Sequence, residues 1–181
     1  MKLVYSNMPL DSLQLVDLKW PKSVMLCGPT SRSIDIKSWR PDAIEFFEKA
    51  GFDGTLLIPE HKTGEIIDYD EQIEWEHTCL LHAECVMFWI PRNLENMPGY
   101  STNIEFGMCC GIFYDYSMVV YGRPVDAPKC RYLDALWKKR SPNWEPAETL
   151  EDTVKAVIGC FKGYAKFANL IDQGMKVNVT P

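Results

Sequence analysis

Short unbroken apolar runs alternate along this chain with stretches whose apolar residues recur every three to four positions. The runs are Ser23–Cys27, Gly54–Ile58, closed by Pro59, Cys85–Ile90 and Ser117–Tyr121. A strand with one wet face alternates apolar with polar residues. A continuous run predicts a strand buried on both faces, as in a parallel sheet covered by helices. Between the runs lie four helical patterns. One opens near Pro41, presents Ala43, Ile44, Phe47 and Ala50, and stops at Gly51. A second, from about Asp70 to Ala83, presents Ile73, His77, Leu80 and Leu81. A third starts at Thr102 and runs to about Phe113. The last opens at Thr149, with Asp152 completing a capping pattern, and repeats Val154, Val157, Ile158, Phe161, Ala165 and Ala168. The first 22 residues add a strand or hairpin from Leu3–Ser6 and Leu13–Leu18. Strand-helix alternation of this kind predicts an α/β fold with a mostly parallel sheet.

The chain has 181 residues, which fits one domain over 1–181. Its core lies at 24–122, an N-terminal elaboration at 1–22 and a C-terminal helix at 149–170. The formal net charge is −6, and it is unevenly placed. Residues 60–76 hold seven acids and one base, whereas 123–140, read as a loop and a basic segment, hold six bases and two acids. An acidic chain argues against a nucleic-acid polymer as partner, because that binding needs clustered cations to displace counterions. The seven cysteines are odd in number and sit mostly in apolar runs, which points to reduced thiols and a cytoplasmic location. His61, His77 and His82 have no metal-ligand spacing, so no metal is expected. No apolar run approaches the roughly 18 residues of a membrane span, and Lys2 with the mixed stretch after it is no signal peptide.

In an open parallel sheet, ligands bind beyond the carboxyl ends of the strands. Three groups of residues there carry candidate chemistry. Gly28–Pro29–Thr30–Ser31–Arg32 follows a buried strand. Its glycine lets a ligand approach the backbone, and Thr30 and Arg32 suit sugar or phosphate oxygens, although a plain strand-to-loop turn reads equally well. It is neither a Walker loop nor a dinucleotide fingerprint. Thr102 and Glu105 have capping-box spacing, yet Glu105 also lies at the mouth of the sheet. A carboxylate there can attack an acetal-like carbon, and a helix N-terminus would help keep it ionised. Glu76 falls on the wheel beside Ile73, Leu80 and Ala83, and Glu84 on the same side. An acid on a buried flank keeps its proton and can hand it to a leaving group. The alternative is a solvated charge run that reaches slightly inward.

The order of motifs resembles the nucleoside 2-deoxyribosyltransferase superfamily, in particular its phage and bacterial deoxyribosyltransferase-like branch. The resemblance is carried by Leu26–Thr30, Ser38–Pro41, Gly51–Thr55, Gln72–Glu76, Ala83–Trp89 and Asn103–Gly107, in order over about residues 24–122. It implies a Rossmann/flavodoxin-like three-layer sandwich with a mostly parallel central sheet of about five strands. It implies Glu105, in Glu105–Phe106–Gly107, as nucleophile and Glu76 as the acid that protonates the departing base. It implies Gly28, Pro29 and Thr30 as the loop lining base and sugar, no cofactor, and assembly as a homo-oligomer. Three features depart from the better-known members, one being that their C-terminal contribution from a partner subunit has no match here. The loop Pro98–Asn103 lacks their aspartate, in whose stead Asn103 supplies a hydrogen bond, and Met25 stands where a first-strand tyrosine is usual.

The expected activity is cleavage or transfer of the N-glycosidic bond of a 2-deoxynucleoside through a covalent glutamyl-sugar intermediate. Trp39, Trp75 or Tyr100 could stack on the base, although each reads better as a core or rim residue. Crowded carboxylates in 60–76 would keep Glu76 protonated and repel a phosphate. One alternative is a nucleoside 5′-monophosphate N-glycosidase, with Arg32, Arg40 and Arg92 holding the phosphate. The other is a non-catalytic nucleotide-binding or sensor module, since fold alone does not imply chemistry.

Overall fold

The pleat explains why the strands read as unbroken apolar runs. The computed structural model describes residues 1–11, 13–32, 35–62, 68–111 and 118–172, with side chains as far as residue 163. Its strands are β1 (Lys2–Tyr5), β2 (Trp20–Cys27), β3 (Thr55–Ile58), β4 (Ala83–Trp89) and β5 (Met118–Gly122). Its helices are α1 (Arg40–Lys49), α2 (Tyr69–His82), α3 (Tyr100–Cys110), α4 (Arg131–Arg140) and α5 (Leu150–Asp172). Val24 and Leu26 of β2, Leu56 and Ile58 of β3, and Cys85 and Met87 of β4 point to one face, into a core closed by Ala43 and Phe47 of α1 and Val154 and Val157 of α5. The residues between them, Met25, Cys27, Leu57, Val86 and Phe88, point to the other face. There they meet Trp75, Cys79 and Leu80 of α2, Phe106 and Cys109 of α3, and Leu133 and Trp137 of α4. Period-two pleating with helices on both faces fills the strand centres with apolar residues, and the polar ones, Lys22, Ser23, Thr55 and Glu84, stand toward the amino ends.

All five strands are parallel, in the order β1-β3-β2-β4-β5. The fold is therefore α/β, a Rossmann/flavodoxin-like sandwich of three layers. From β2 the chain steps outward to β3, then crosses back over β2 to β4. The direction of winding reverses between β2 and β4, and that reversal opens a crevice at their carboxyl ends.

Four local expectations need correction. The basic segment contains a helix, α4, whose inner contacts are few: Leu133 and Trp137 are buried and Lys138 and Lys139 are exposed. The stretch Leu13–Leu18 forms no strand and contributes one isolated bridge, Val16 to Lys19. On α2 the buried face is Trp75, Cys79 and Leu80, while His77 and Leu81 face outward and Ile73 is half-buried. The large Trp75 ring turns inward, its Nε1 donating to the Met8 carbonyl, and that choice rotates the helix. Finally, α3 starts two residues early and has no capping box. Gly99 at its N-cap adopts the left-handed conformation with φ 66°, which lets the chain enter the helix at Tyr100 and buries Thr102 in the first turn.

The expected extension of α3 to Phe113 fails, because the helix ends at Cys110 and Gly111 is already extended; the start of β5 at Ser117 and the side chains of Ala165 and Ala168 lie outside the described residues. The pattern at Thr149 forms as expected: Thr149 Oγ1 accepts from the Asp152 N–H at 3.1 Å and donates to its carboxylate at 2.8 Å. Among the described residues no helix is long and apolar enough to cross a membrane.

Gly28 ends β2 with φ 154°. A Cβ on it would lie 2.1 Å from the Trp89 carbonyl oxygen and 2.8 Å from the Trp39 ring. The oxygen belongs to β4 and cannot retreat without breaking the sheet at its switch point. Gly28→Ala is expected to destabilise the protein by roughly 2–3 kcal/mol or more, the upper range for a single substitution. Urea denaturation of the two proteins measures it, and a loss below about 0.5 kcal/mol, the size of an ordinary surface change, would contradict the steric account.

Candidate active site

Four segments converge on the crevice: the turn after β2, the turn after β3, the outer face of α2, and the first two turns of α3. They enclose two adjoining cavities of about 770 and 430 Å³. Thr30, Pro59, Tyr69, Glu76, Ser101 and Glu105 line both. The larger cavity adds His61, Gln72, His77, Ile104 and Met108; the smaller adds Met25, Cys27, Gly28, Arg32 and Arg40. Glu76 and Glu105 therefore face one shared space from two different helices.

Glu105 is placed by its neighbour. Phe106 is wholly buried, with Phe88 and Tyr121 edge-on at ring distances of 5.0 and 4.8 Å. Those contacts lock α3 against β4 and β5 and turn the preceding residue toward the crevice, about 100° around the helix. Glu76 is placed by Trp75 in the same way.

Arg40 ties the floor together. It is 1% exposed. Its Nε donates to the Leu26 carbonyl at 3.1 Å and Nη2 to the Gly28 carbonyl at 2.9 Å. Its Nη1 donates to Thr30 Oγ1 at 3.2 Å and to Glu60 Oε1 at 2.7 Å. Ser38 Oγ donates to the Glu60 carboxylate at 2.8 Å. The turns after β2 and β3 are thus joined through one buried cation.

Burial dominates the electrostatics. It pushes the Glu105 carboxyl up to about 7, helped by the nearby charge of Glu76 and opposed by Arg40. Burial also raises Glu76, while the hydrogen bond from Gln72 and the charges of Arg40 and His77 hold it back. Two expectations change here. The acids of 60–76 are not what raises Glu76, since desolvation does. Nor is Glu105 kept ionised by a helix N-terminus: it is the sixth residue of α3, past the first turn where the dipole acts.

The structure brings Gly28, Thr30, Arg32, Arg40, Glu76 and Glu105 together in the crevice. It places four other expected residues elsewhere. Pro29 is buried beneath the turn, and its carbonyl accepts from Trp39 Nε1 at 3.1 Å. Trp39 is a core residue, 7% exposed. Arg92 and Asn103 bond to each other, and Arg92 Nη1 donates to the Lys129 carbonyl at 2.9 Å. Arg92 lines a separate hollow under the turns after β4 and β5, because the Asn103 and Lys129 oxygens hold its guanidinium there. Arg40 reaches the crevice, yet four of its five N–H donors are committed to protein oxygens.

Trp75 belongs to the core, and Tyr100 stands at the rim with the Arg32 guanidinium 5.3 Å from its ring centroid. Glu84 sits at the amino end of β4, accepting from the Lys22 N–H, at the opposite end of the strand from the crevice. Residues that sequence reasoning passed over are Glu60, His61, Tyr69 and Gln72. Their signal was position, since all follow the carboxyl end of β3. Compared with protein-family models and with curated proteins, the chain matches none.

Two outcomes follow for stability. Glu60→Ala leaves a buried guanidinium without its counter-charge and should cost about 3–5 kcal/mol. A double-mutant cycle with Arg40→Met measures the coupling, and additive losses would show that the pair is not a unit. The pH dependence has a definite sign. Glu105 binds its proton more tightly folded than unfolded, so its contribution is full below pH 4.5 and lost as the pH rises through about 7. Glu105→Gln should remove about 3 kcal/mol of that loss. Chemical denaturation from pH 4 to 8.5 reads it, and an unchanged slope would contradict the buried-carboxyl assignment.

Proposed function

We propose that the protein cleaves the N-glycosidic bond of a 2-deoxynucleoside, as a member of the nucleoside 2-deoxyribosyltransferase superfamily. The observation that carries the reading is the pair Glu76 and Glu105, raised together by burial in one crevice at the switch point of the sheet. Two carboxyls facing one space, able to hold one proton between them near neutral pH, are the equipment of retaining glycosyl transfer.

In the proposed reaction the Glu105 carboxylate attacks C1′. The C1′–N bond breaks as the new C1′–O bond forms, and the electron pair leaves with the base. Glu76 gives its proton to that base. A nitrogen of a second base, or water, then attacks C1′, returns a proton to Glu76 and releases Glu105. The resting pair keeps its proton more strongly on Glu105, so the proton must pass to Glu76 before attack. Only the form with the proton on Glu76 and Glu105 ionised is reactive, and the charge of Arg40 favours ionisation at both carboxyls. Positioning and charge stabilisation supply the rate, and the scheme needs no cofactor.

The nucleotide alternative loses two of its three arginines, since Arg40 is committed to the floor and Arg92 lies outside the crevice. Arg32 is the remaining candidate for a 5′-phosphate. The balance favours a nucleoside without one.

Glu105→Ala should lower base release or exchange by on the order of 10³-fold or more, as loss of a nucleophile does. Glu76→Gln should cost about 10²–10⁴-fold, the usual size of a general acid. The assay follows free base from a deoxynucleoside and from its monophosphate, each with and without a competing base. Full activity of Glu105→Ala would overturn the reading. Tight binding without turnover by the unaltered protein would favour the sensor alternative.

A further inference from the structure

The crevice wall holds a contact chain that the reaction scheme does not use. Gln72 lies one turn before Glu76 on α2, so the two side chains share a face. Gln72 Nε2 donates to Glu76 Oε1 at 2.6 Å. On its other side Gln72 Oε1 lies 3.4 Å from His61 Nε2, across from the turn after β3. His61 Nδ1 is buried and has no hydrogen-bond partner among the described residues.

These facts determine which way the amide points. An amide can present either its oxygen or its NH₂ to a neighbour. If Gln72 turned its oxygen to Glu76, its NH₂ would face His61, and His61 Nε2 would have to accept. The imidazole proton would then sit on Nδ1, a buried donor with no acceptor, and burying an unpaired donor is costly. The tautomer with the proton on Nε2 avoids that. It donates to the Gln72 oxygen and leaves the NH₂ to Glu76. His61 is therefore a latch on the Gln72 amide.

We propose that Gln72, latched by His61, is the positioning residue for Glu76: it holds Oε1 as an acceptor and leaves Oε2 as the oxygen that carries the transferable proton. The proposal deepens the glycosyl-transfer reading and rests on it for the role of that proton. An acid with two equivalent oxygens presents its proton to the leaving base in only part of its conformers. One oxygen tied to Gln72 removes that ambiguity and fixes the rotamer of the carboxyl group. The same bond favours the ionised form of Glu76, so the group gives up its proton more readily and can pass it back and forth with its partner. The charged and titratable groups around Glu76 are Glu105 from α3, Arg40 from α1, Cys27 from β2, Glu60 and His61 from the turn after β3, and Tyr69, His77 and Cys79 on α2 itself. None of them bonds Oε1.

The test compares the unaltered protein with Gln72→Met, which keeps the length and loses the donor, and with His61→Phe, which removes the latch and keeps Gln72. The Glu76 carboxyl is followed by carbon NMR across pH, its resonance assigned by its absence in Glu76→Gln. Both variants are expected to raise the Glu76 midpoint, by about one pH unit for Gln72→Met, the worth of one hydrogen bond to a charged group. The high-pH limb of the kcat profile should move up with it, while KM changes little. Folding of each variant is checked by its thermal transition. An unmoved Glu76 midpoint in either folded variant overturns the proposal. The NMR titration does not depend on turnover. An active Glu105→Ala protein would therefore end the glycosyl-transfer reading, whereas the midpoint alone decides the Gln72 bond.

Discussion

The crevice depends on a buried guanidinium. Arg40 enters the protein at the first residue of α1, is almost wholly withdrawn from water, and ends against carbonyls that terminate β2. Burying an isolated cation is prohibitive, and the structure offsets it with a carboxylate, two carbonyls and a hydroxyl. The partners lie on the end of β2 and on the turns after β2 and β3, which would otherwise be independent. Leu26, Gly28 and Thr30 report where β2 ends; Glu60 reports where β3 ends. A lysine could neutralise Glu60 but could not span these acceptors at once, because its donors radiate from one point. The Trp39 ring, 4.7 Å from the guanidinium, closes the remaining side. With those turns fixed, the crevice has a rigid floor against which α2 and α3 present their acids.

The same cation explains why the two acids are not further shifted. Arg40 pulls both carboxyls toward ionisation, and burial pulls both the other way. Burial wins at each site because Arg40 is already engaged by Glu60, its nearest anion. What separates Glu76 from Glu105 is then local. Glu76 has a donor on one oxygen and a histidine charge nearby; Glu105 has neither and stands opposite another carboxylate. Burial raises both acids; one hydrogen bond and one helix neighbour hold Glu76 back while its charge pushes Glu105 further up, so two like residues acquire unequal proton affinities.

Much of the fold was legible because its strands have no wet face. Val24 through Cys27 and Cys85 through Ile90 could be nothing but doubly buried, and glycine, proline and capping signals delimited the helices between them. What stayed hidden was hidden for identifiable reasons. In α4 the apolar contacts are Leu133, Leu136 and Trp137 within a run of charges, so periodicity had too few points to register. On α2 the expected inner face was Ile73, His77, Leu80 and Leu81; Leu80 is buried, but the large ring of Trp75 takes the inner side with Cys79 and turns His77 and Leu81 outward. In α3 the spacing of Thr102 and Glu105 imitated a cap, and the left-handed Gly99 three residues earlier made the cap unnecessary. The acids of the site were visible from their position at the mouth of the sheet. The arginines were not separable, because Arg32, Arg40 and Arg92 differ only in which oxygens lie near them in space.

The acidic stretch 60–76 shows how a charge run resolves into separate tasks once its side chains are placed. Glu60 is engaged by Arg40 and Ser38. Asp68 caps α2, its carboxylate accepting from the Asp70 N–H at 2.8 Å. Asp70, Glu71 and Glu74 are exposed, where water screens them and their mutual repulsion is small. Glu76 lines the crevice. A field summed over the segment would predict that its charges protonate Glu76 collectively. The dielectric boundary defeats that prediction, because charges on the wet side of the helix act weakly on a group on the dry side. The charge the crevice itself presents comes from its lining: Glu60, Glu76 and Glu105 stand there with Arg32, and Arg40 has four of its five donors committed to oxygens of the fold.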